Sequence, residues 1–235
     1  MPPLGRRFCN PGSTPRWTGI EGAKVIRKDN FLGVIADREW DAIQAAQKLK
    51  VTWSAAKDVF PAQNELYDFI RKAPTNKKTD EVTVGNVEGS FTAGAKVVQA
   101  EYEWPFQSHA SMGGGCGLAD VRADHAVCWT GSPKPHFAHQ GVATILNLPM
   151  EKVEVHSMPA PGSYGRNDDG DALLEAAVMS QIAGKPVRVQ FMRHEGTQWD
   201  PKAPPSVHTA RAALDAQGNI VAWEYKSKGP SRLDT

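Results

Sequence analysis

The first part of the chain alternates short apolar runs with polar turns. The apolar runs Ala23–Arg27 and Phe31–Ala36 flank Lys28-Asp29-Asn30, a turn-forming group, and this arrangement predicts a β-hairpin. Between Glu39 and Lys50 the apolar residues recur at helical spacing, and Val51–Trp53 returns to an extended pattern. The segment is therefore predicted to form a β-β-α-β unit.

Strands and helices succeed one another in the rest of the chain. Polar and apolar residues alternate over Lys96–Trp104, which predicts a half-exposed strand. Further strands are predicted at Gly117–Arg122, Ala126–Thr130, Lys152–Ser157 and Pro186–Met192, with two more between Val207 and Ser227. Helices are predicted at Asn64–Lys72, at Ala172–Ala183, and at His136–Asn147 with Phe137, Val142, Ile145 and Leu146 inward. The succession strand, loop, helix, strand over residues 152–192 predicts a crossover unit, and the whole pattern indicates an α+β fold.

Composition divides the chain into an arm and two regions. Residues 1–20 are rich in Gly, Pro, Arg and Ser without periodicity, which predicts an irregular arm. The polar segment APTNKKTDE, residues 73–81, is a predicted linker. The predicted regions are therefore residues 21–79 and residues 80–235.

The overall composition excludes several classes of protein. Of 235 residues, 40% are hydrophobic and 23% are charged, values typical of globular rather than disordered chains. The formal charge of +1 provides no basic field for nucleic acid, and no apolar run is long enough to predict a membrane span. The three cysteines show no C-x-x-C spacing, so neither a disulfide framework nor a zinc knuckle is predicted. A reducing compartment, the cytoplasm, is the default expectation.

The strongest chemical pattern is the segment Pro161–Asp168, which lies between a predicted strand and a predicted helix. Gly162 and Gly165 would let backbone N–H groups approach a ligand, and the helix N-terminus favours an anion. Arg166 could add a bidentate contact to a phosphate. An anionic cofactor would fit, although a glycine-serine loop could equally just turn the chain. The segment lacks the G-x-G-x-x-G spacing, which disfavours a Rossmann cofactor site.

Four acidic or amide residues follow this loop and form a weaker pattern: Asn167, Asp168, Asp169 and Asp171. A calcium loop requires a glutamate six positions after its glycine, and Ala176 stands there instead. Acids that stabilise the first turn of the following helix are the favoured interpretation.

Three other patterns are weaker. His136 and His139 could share a helix face but lack a third ligand, so no metal site is predicted. The run Met112–Gly117 after His109 permits either close approach to a ligand or a flexible bend, and the sequence leaves both open. Cys116 is interpreted as structural.

Several longer segments resemble one enzyme family in the same order along the chain. Residues 31–54 resemble the hammerhead-type domain of large subunits of the xanthine dehydrogenase and aldehyde oxidase family of molybdenum hydroxylases. Residues 105–121, 129–171 and 184–201 resemble the first molybdenum-cofactor domain of that family. The resemblance covers roughly residues 20–228, and the most similar members are bacterial enzymes acting on nicotinate, isoquinoline or aldehydes. It implies a hammerhead-type domain over residues 21–79 and the first cofactor domain over residues 80–235.

The resemblance also implies site residues. Tyr164 and Gly165 match the Phe-Gly or Tyr-Gly pair beside molybdenum, where a backbone N–H faces the apical oxo ligand. The residues flanking that contact are implied to bind the cofactor as well: Gly162, Ser163 and Arg166. Asp168 falls where purine-oxidising relatives keep a substrate-orienting glutamate.

Two positions depart from the family pattern. Relatives usually carry Gln where this chain has Pro133, and that side chain reaches a molybdenum oxo group. Proline has neither an amide side chain nor a backbone N–H, so Pro133 cannot make this hydrogen bond. Many relatives have Glu-Pro after the methionine that corresponds to Met112, whereas this chain has Gly113-Gly114.

The function implied by the resemblance is oxidation of an N-heterocycle or an aldehyde with oxygen derived from water. The implied cofactor is a molybdopterin-type molybdenum cofactor in its cytosine dinucleotide form, and the implied partner is a small subunit carrying iron-sulfur clusters. The catalytic glutamate of the family belongs to a second cofactor domain, so no catalytic or metal-ligating residue is expected in these 235 residues.

The chain is accordingly expected to be a piece of a large subunit that needs the remaining half as a partner. An export signal upstream would place it in the periplasm instead of the cytoplasm. Two alternatives remain open at this point: a non-catalytic scaffold fragment, and a protein that binds a phosphate ligand through residues 162–166.

Overall fold

A computed structural model describes residues 19–54, 60–78 and 82–230 of the chain, without the side chains of residues 197–199. The predicted irregular arm lies outside the described residues except for Gly19 and Ile20. No helix in the described ranges is long and apolar enough to cross a membrane.

The described residues form nine β-strands and six α-helices. The strands are β1 (Lys24–Lys28), β2 (Phe31–Ile35), β3 (Lys96–Trp104), β4 (Cys116–Val121), β5 (Ala126–Thr130), β6 (Val153–Ser157), β7 (Val187–Gln190), β8 (Ser206–Leu214) and β9 (Ile220–Lys228). The helices are α1 (Glu39–Lys48), α2 (Leu66–Lys72), α3 (Val87–Ala93), α4 (Pro135–Leu146), α5 (Asp169–Ala183) and α6 (Arg193–Trp199).

These elements divide between two compact units. Of the described residues, the four-stranded unit comprises 19–54 and 108–201, and the three-stranded unit comprises 60–78, 82–107 and 202–230. The region 21–79 therefore contributes β1, β2 and α1 to one unit and α2 to the other. The family domain boundary near residue 79 stays a prediction.

The four-stranded unit is built on a mixed sheet in the order β6-β5-β4-β7. β5 and β6 are parallel, whereas β4 is antiparallel to both β5 and β7. Small residues alternate toward one face of the central strands, where Ala119 pairs with Cys128, and α4 and α5 pack against this face. The close approach of α5 requires Gly117, because a Cβ there would lie 2.4 Å from the Cα of Leu173.

Most of the predicted elements of this unit are confirmed. β1 and β2 form the predicted hairpin, β4 and β5 form another, and β6-α5-β7 is the predicted crossover. Val51–Trp53 is wrong as a strand, because residues 51–54 form no strand in the structure. On α4, Val142 and Leu146 are buried as predicted, but Phe137 and Ile145 are 71% and 42% exposed. The small side chains of Ala138 and Ala143 take the inward positions instead.

The three-stranded unit is an antiparallel sheet in the order β3-β8-β9. Leu66 and Ile70 of α2 pack against Val207, and Phe91 of α3 packs against Ala213, so both helices cover the same face. The opposite face carries exposed apolar side chains on its two outer strands: Val98, Tyr102, Trp104, Val221, Trp223 and Tyr225. β3 is therefore more exposed than the half-exposed strand that was predicted.

Candidate functional site

A cavity of about 140 Å³ lies in the four-stranded unit beside the first turns of α4 and α5. Its lining includes Ser132, Pro133, Lys134, Gly165, Arg166 and Asn167. These residues belong to the connections that follow β5 and β6, two neighbouring parallel strands. Crevices outside the carboxyl ends of parallel strands are where α/β sheets commonly bind ligands.

The loop after β6 contains a tight turn over residues 163–166. The Arg166 N–H donates to the Ser163 carbonyl at 3.0 Å, and the two central residues, Tyr164 and Gly165, have φ angles of 49° and 111°. Two positive φ angles are characteristic of a type I′ turn, and Tyr164 is strained in that conformation. The Tyr164 side chain is exposed and lies over Gly162, whose own φ is 93°.

Residues 109–112, here called the backing segment, hold this loop through three hydrogen bonds. The His109 ring donates from Nδ1 to the Tyr164 carbonyl at 3.0 Å. The Ser111 hydroxyl donates to the Arg166 carbonyl at 3.3 Å, and the Met112 N–H donates to the Pro161 carbonyl at 3.2 Å. The backing segment thus fixes three carbonyls of a loop about fifty residues further along the chain.

The backing segment is itself held by α6 and by the glycines that follow it. The Arg193 guanidinium donates to the carbonyls of Ser111, at 2.8 Å, and Met112. A Cβ at Gly113 would lie 2.4 Å from Pro161, and one at Gly114 would lie 2.2 Å from the Phe191 carbonyl. Residues 112–117 therefore permit close approach of other parts of this unit. The sequence leaves two roles open for these residues, close approach to a ligand and a flexible bend.

The start of α5 is tied to the sheet by the Asp169 carboxylate, which is buried. This carboxylate accepts hydrogen bonds from the Cys116 N–H at 2.6 Å and from the Asn167 amide at 2.7 Å. Burial raises the pKa of the Asp169 carboxyl group, and the hydrogen bond from Cys116 opposes that rise. Asn167 also donates to the Gly131 carbonyl at 3.1 Å, which links the two connections that border the cavity.

The cavity offers positive charge to an anion, partly balanced by one carboxylate. Lys134 and Arg166 line it together with Asp171, and the N-termini of α4 and α5 contribute positive partial charges. Arg166 also pairs with Asp171 at 3.2 Å, and both side chains are more than a third exposed, so this pair contributes little stability. Arg166 could therefore exchange Asp171 for a stronger anionic partner.

Asp168 is placed differently from the other predicted site residues. It is 8% exposed at the N-cap of α5, and it does not belong to the cavity lining. A Cβ at Gly196 would lie 3.1 Å from its Oδ2 atom, so the carboxyl group faces α6. Gly165 and Arg166 line the cavity, whereas Ser163 and Tyr164 form the first half of the turn and Gly162 precedes it.

The other candidates have structural explanations. His139 Nε2 is engaged with the Met150 carbonyl at 2.9 Å. Cys116 is half-buried, and burial, together with the charge of Asp120, raises the pKa of the Cys128 thiol to about 12. Across residues 19–54, 60–78 and 82–230, no group of three His, Cys, Asp or Glu side chains could hold a metal ion.

Solved structures of similar fold include two oxidoreductases. The aldehyde oxidoreductase of Desulfovibrio gigas aligns with a TM-score of 0.65 and 18% identity, over 85% of this chain and 23% of that one. Quinoline 2-oxidoreductase of Pseudomonas putida 86 aligns with a TM-score of 0.63 and 18% identity, over 95% of this chain and 32% of that one. These similarities show the fold and confirm the predicted α+β class.

The chain belongs to the molybdopterin cofactor-binding domain family, whose model matches residues 69–229. One of the subunits of nicotinate dehydrogenase from Pseudomonas putida is 33% identical over 213 residues, which make up 91% of this chain and 18% of that protein. The predicted family resemblance is thereby confirmed. The chain spans less than a third of each of these relatives.

Proposed function

We propose that the chain is the first molybdenum-cofactor-binding part of a large subunit that oxidises an N-heterocycle or an aldehyde. The observation that carries this proposal is the family match together with a cavity, bordered by Lys134 and Arg166, beside the turn at residues 163–166. The named activities of the relatives, on nicotinate, quinoline and aldehydes, support the substrate class. A bound molybdenum cofactor would supply the oxidation chemistry, with oxygen derived from water.

The residues at the cavity suit the groups such a cofactor presents. Oxo and phosphate oxygens accept hydrogen bonds, and the cavity offers the cationic side chains of Lys134 and Arg166 beside two helix N-termini. Gly162, Ser163 and Tyr164 shape the turn that carries Gly165 and Arg166 to the lining. These five loop residues, Gly162 to Arg166, would therefore hold the cofactor by backbone and guanidinium donors.

Pro133 and Gly165 line the same cavity, which supports the alignment of Pro133 with the family glutamine. Because proline offers no donor, the binding of cofactor oxygens would fall to the turn and to the cations. Asp168 would orient the substrate in the assembled enzyme. Its burial against Gly196 means that this role requires a rearrangement of α6 or of the carboxyl group.

The partners of this function would be the remaining part of a large subunit and a small subunit with iron-sulfur clusters. The general base would lie in that remaining part. The similarity to bacterial members supports the cytosine dinucleotide form of the cofactor. The compartment would be the cytoplasm by default, or the periplasm after export. The hammerhead-type domain over residues 21–79 would complete the organisation of the large subunit.

The test is molybdenum and pterin content of the purified chain after expression in a bacterium that makes the cofactor. We expect bound molybdenum in the parent and less in Arg166→Gln, with Arg122→Gln as the control because Arg122 pairs with Asp120 away from the cavity. Dye reduction with nicotinate should be absent for this chain by itself, since loss of a general base costs about 10²–10⁴ in rate. Nucleotide binding in the absence of molybdenum would favour the phosphate-ligand alternative instead.

A further inference from the structure

The orientation of one peptide group in the turn at residues 163–166 depends on His109. Its Nδ1 atom lies 3.0 Å from the Tyr164 carbonyl oxygen. A carbonyl oxygen only accepts hydrogen bonds, so Nδ1 must carry the proton in this contact. The imidazole also lies against Gly165, where a Cβ would be 3.2 Å from Nδ1.

This contact sets the direction of the Gly165 N–H. A trans peptide is planar, and its C=O and N–H bonds point in opposite directions. Because the Tyr164 carbonyl points at His109, the N–H of the same peptide group points away from the imidazole. In the continuous range of residues 82–230, this N–H donates to no protein acceptor, and Gly165 belongs to the cavity lining.

The turn has an alternative backbone conformation, which the His109 contact disfavours. Tyr164 is strained at its positive φ, and a return to a negative φ, as in type I and type II turns, would relieve that strain and reorient the Tyr164–Gly165 peptide group. That change would carry the Tyr164 carbonyl away from His109 and alter the direction of the Gly165 N–H. The other two bonds of the backing segment, to Pro161 and Arg166, do not engage this peptide group.

We propose that His109 is a positioning residue that holds the Tyr164–Gly165 peptide with its N–H available to an anionic oxygen of the bound cofactor. The proposal rests on the proposed function for the identity of the ligand, but the control of the peptide orientation does not. A single hydrogen bond of this kind changes an equilibrium by roughly 2- to 10-fold. The ratio of the two turn conformations should therefore shift by that factor when the donor is removed.

The first measurement is made on the unaltered 235-residue chain labelled with ¹⁵N. At pH 8.5, where free imidazoles are neutral, long-range ¹H–¹⁵N spectra report which ring nitrogen of each histidine carries the proton. We expect His109 to carry it on Nδ1. A proton on Nε2 alone would overturn the proposal without any variant.

The second measurement uses variants that keep or remove the donor. His109→Phe keeps a ring against Gly165 without a donor, His109→Asn retains an N–H, and His125→Phe is a control in a remote hairpin turn. We expect the three-bond amide coupling constants of Tyr164 and Gly165, which report backbone φ, to change in His109→Phe, to return toward their original values in His109→Asn, and to stay unchanged in the control. Identical coupling constants at Tyr164 and Gly165 in all four proteins would overturn the proposal.

Molybdenum content separates this proposal from the proposed function. With cofactor loaded in the expression host, His109→Phe should retain roughly 2- to 10-fold less molybdenum per chain than the parent and His109→Asn should retain an intermediate amount. If the coupling constants respond while all variants hold equal molybdenum, the contact with the cofactor is refuted and the family function stands. If no protein holds molybdenum, the proposed function fails while the tautomer and the coupling constants still decide the role of His109 in the turn.

Discussion

Glu175 should make the stability of this chain fall as the pH rises through the weakly acidic range. It lies on α5, and burial, reinforced by the negative charges of Asp171 and Glu195, raises the pKa of its carboxyl group from 4.5 to about 7. Between these two values the folded chain keeps a proton that the unfolded chain has lost. The free energy of unfolding therefore decreases with rising pH across this window, and the loss is complete above about pH 7.

The size of this effect follows from the same two values. A tenfold change in proton affinity corresponds to about 1.4 kcal/mol, so a rise from 4.5 to about 7 corresponds to at most about 3 kcal/mol. Glu175→Gln replaces the carboxyl group by a neutral group of the same shape. The variant should match the parent near pH 4.5 and exceed it by up to about 3 kcal/mol at pH 8, or roughly 6–12 °C in melting temperature.

The assay is urea denaturation of parent and variant at pH 4.5, 6 and 8. Glu151→Gln serves as the matched control, because Glu151 is exposed in the single-turn helix Met150–Lys152. The carboxyl group of Asp169, whose pKa burial also raises, is present in all three proteins and cancels from the comparison. A stability difference between Glu175→Gln and the parent that is the same at every pH would refute the reasoning.

Three further changes test the packing, the cavity and the exposed sheet face. Gly117→Ala should destabilise the chain by about 1–3 kcal/mol or more in urea, because the new Cβ would lie 2.4 Å from the Cα of Leu173. Gly141→Ala, which meets only the end of a leucine side chain, is its control, and equal midpoints would contradict the packing argument. Pro133→Gln should strengthen cofactor retention, with a binding constant about tenfold higher or more, since the amide can donate to a charged group. Molybdenum per polypeptide, measured by mass spectrometry, should therefore rise, and unchanged content would mean that residue 133 does not face the metal. Trp223→Thr should lower both the binding of an apolar dye and self-association in light scattering, because Trp223 is 57% exposed on the apolar face of the sheet, and unchanged values would contradict this.

The alternation of polar and apolar residues was sufficient to predict most strands and the crossover. β3 coincides with the predicted segment Lys96–Trp104 because its alternation is long and regular. The helices α3 and α6 were missed because each is short and contains a glycine, Gly89 or Gly196, which disfavours a helix; α2 is equally short but contains none. The predicted inward face of α4 was partly wrong because the spacing of large apolar residues favoured Phe137 and Ile145, whereas close packing on the sheet selects alanine.

The sequence predicted the loop of the candidate site but not the segment that holds this loop. Gly162 and Gly165 marked the loop, because glycine is the residue that accepts the positive φ angles found there. The backing segment carried no comparable signal. Its hydrogen bonds join residues about 50 positions apart, and a histidine or serine side chain does not indicate which distant carbonyl it will contact.

The hydrogen bonds around Pro133 suggest what a proline contributes where relatives usually carry glutamine. The Thr130 hydroxyl accepts the Ser132 N–H at 3.2 Å, and the Ser132 hydroxyl accepts the Lys134 N–H at 3.3 Å, so two side chains that precede Pro133 fix the backbone on both sides of it. Proline, with its restricted φ, adds rigidity where a glutamine would add a donor. If the chain binds the cofactor as proposed, recognition shifts from an amide side chain toward the backbone at Gly165. The direction of that one N–H, and therefore His109, would then matter more in this chain than in relatives that keep the glutamine.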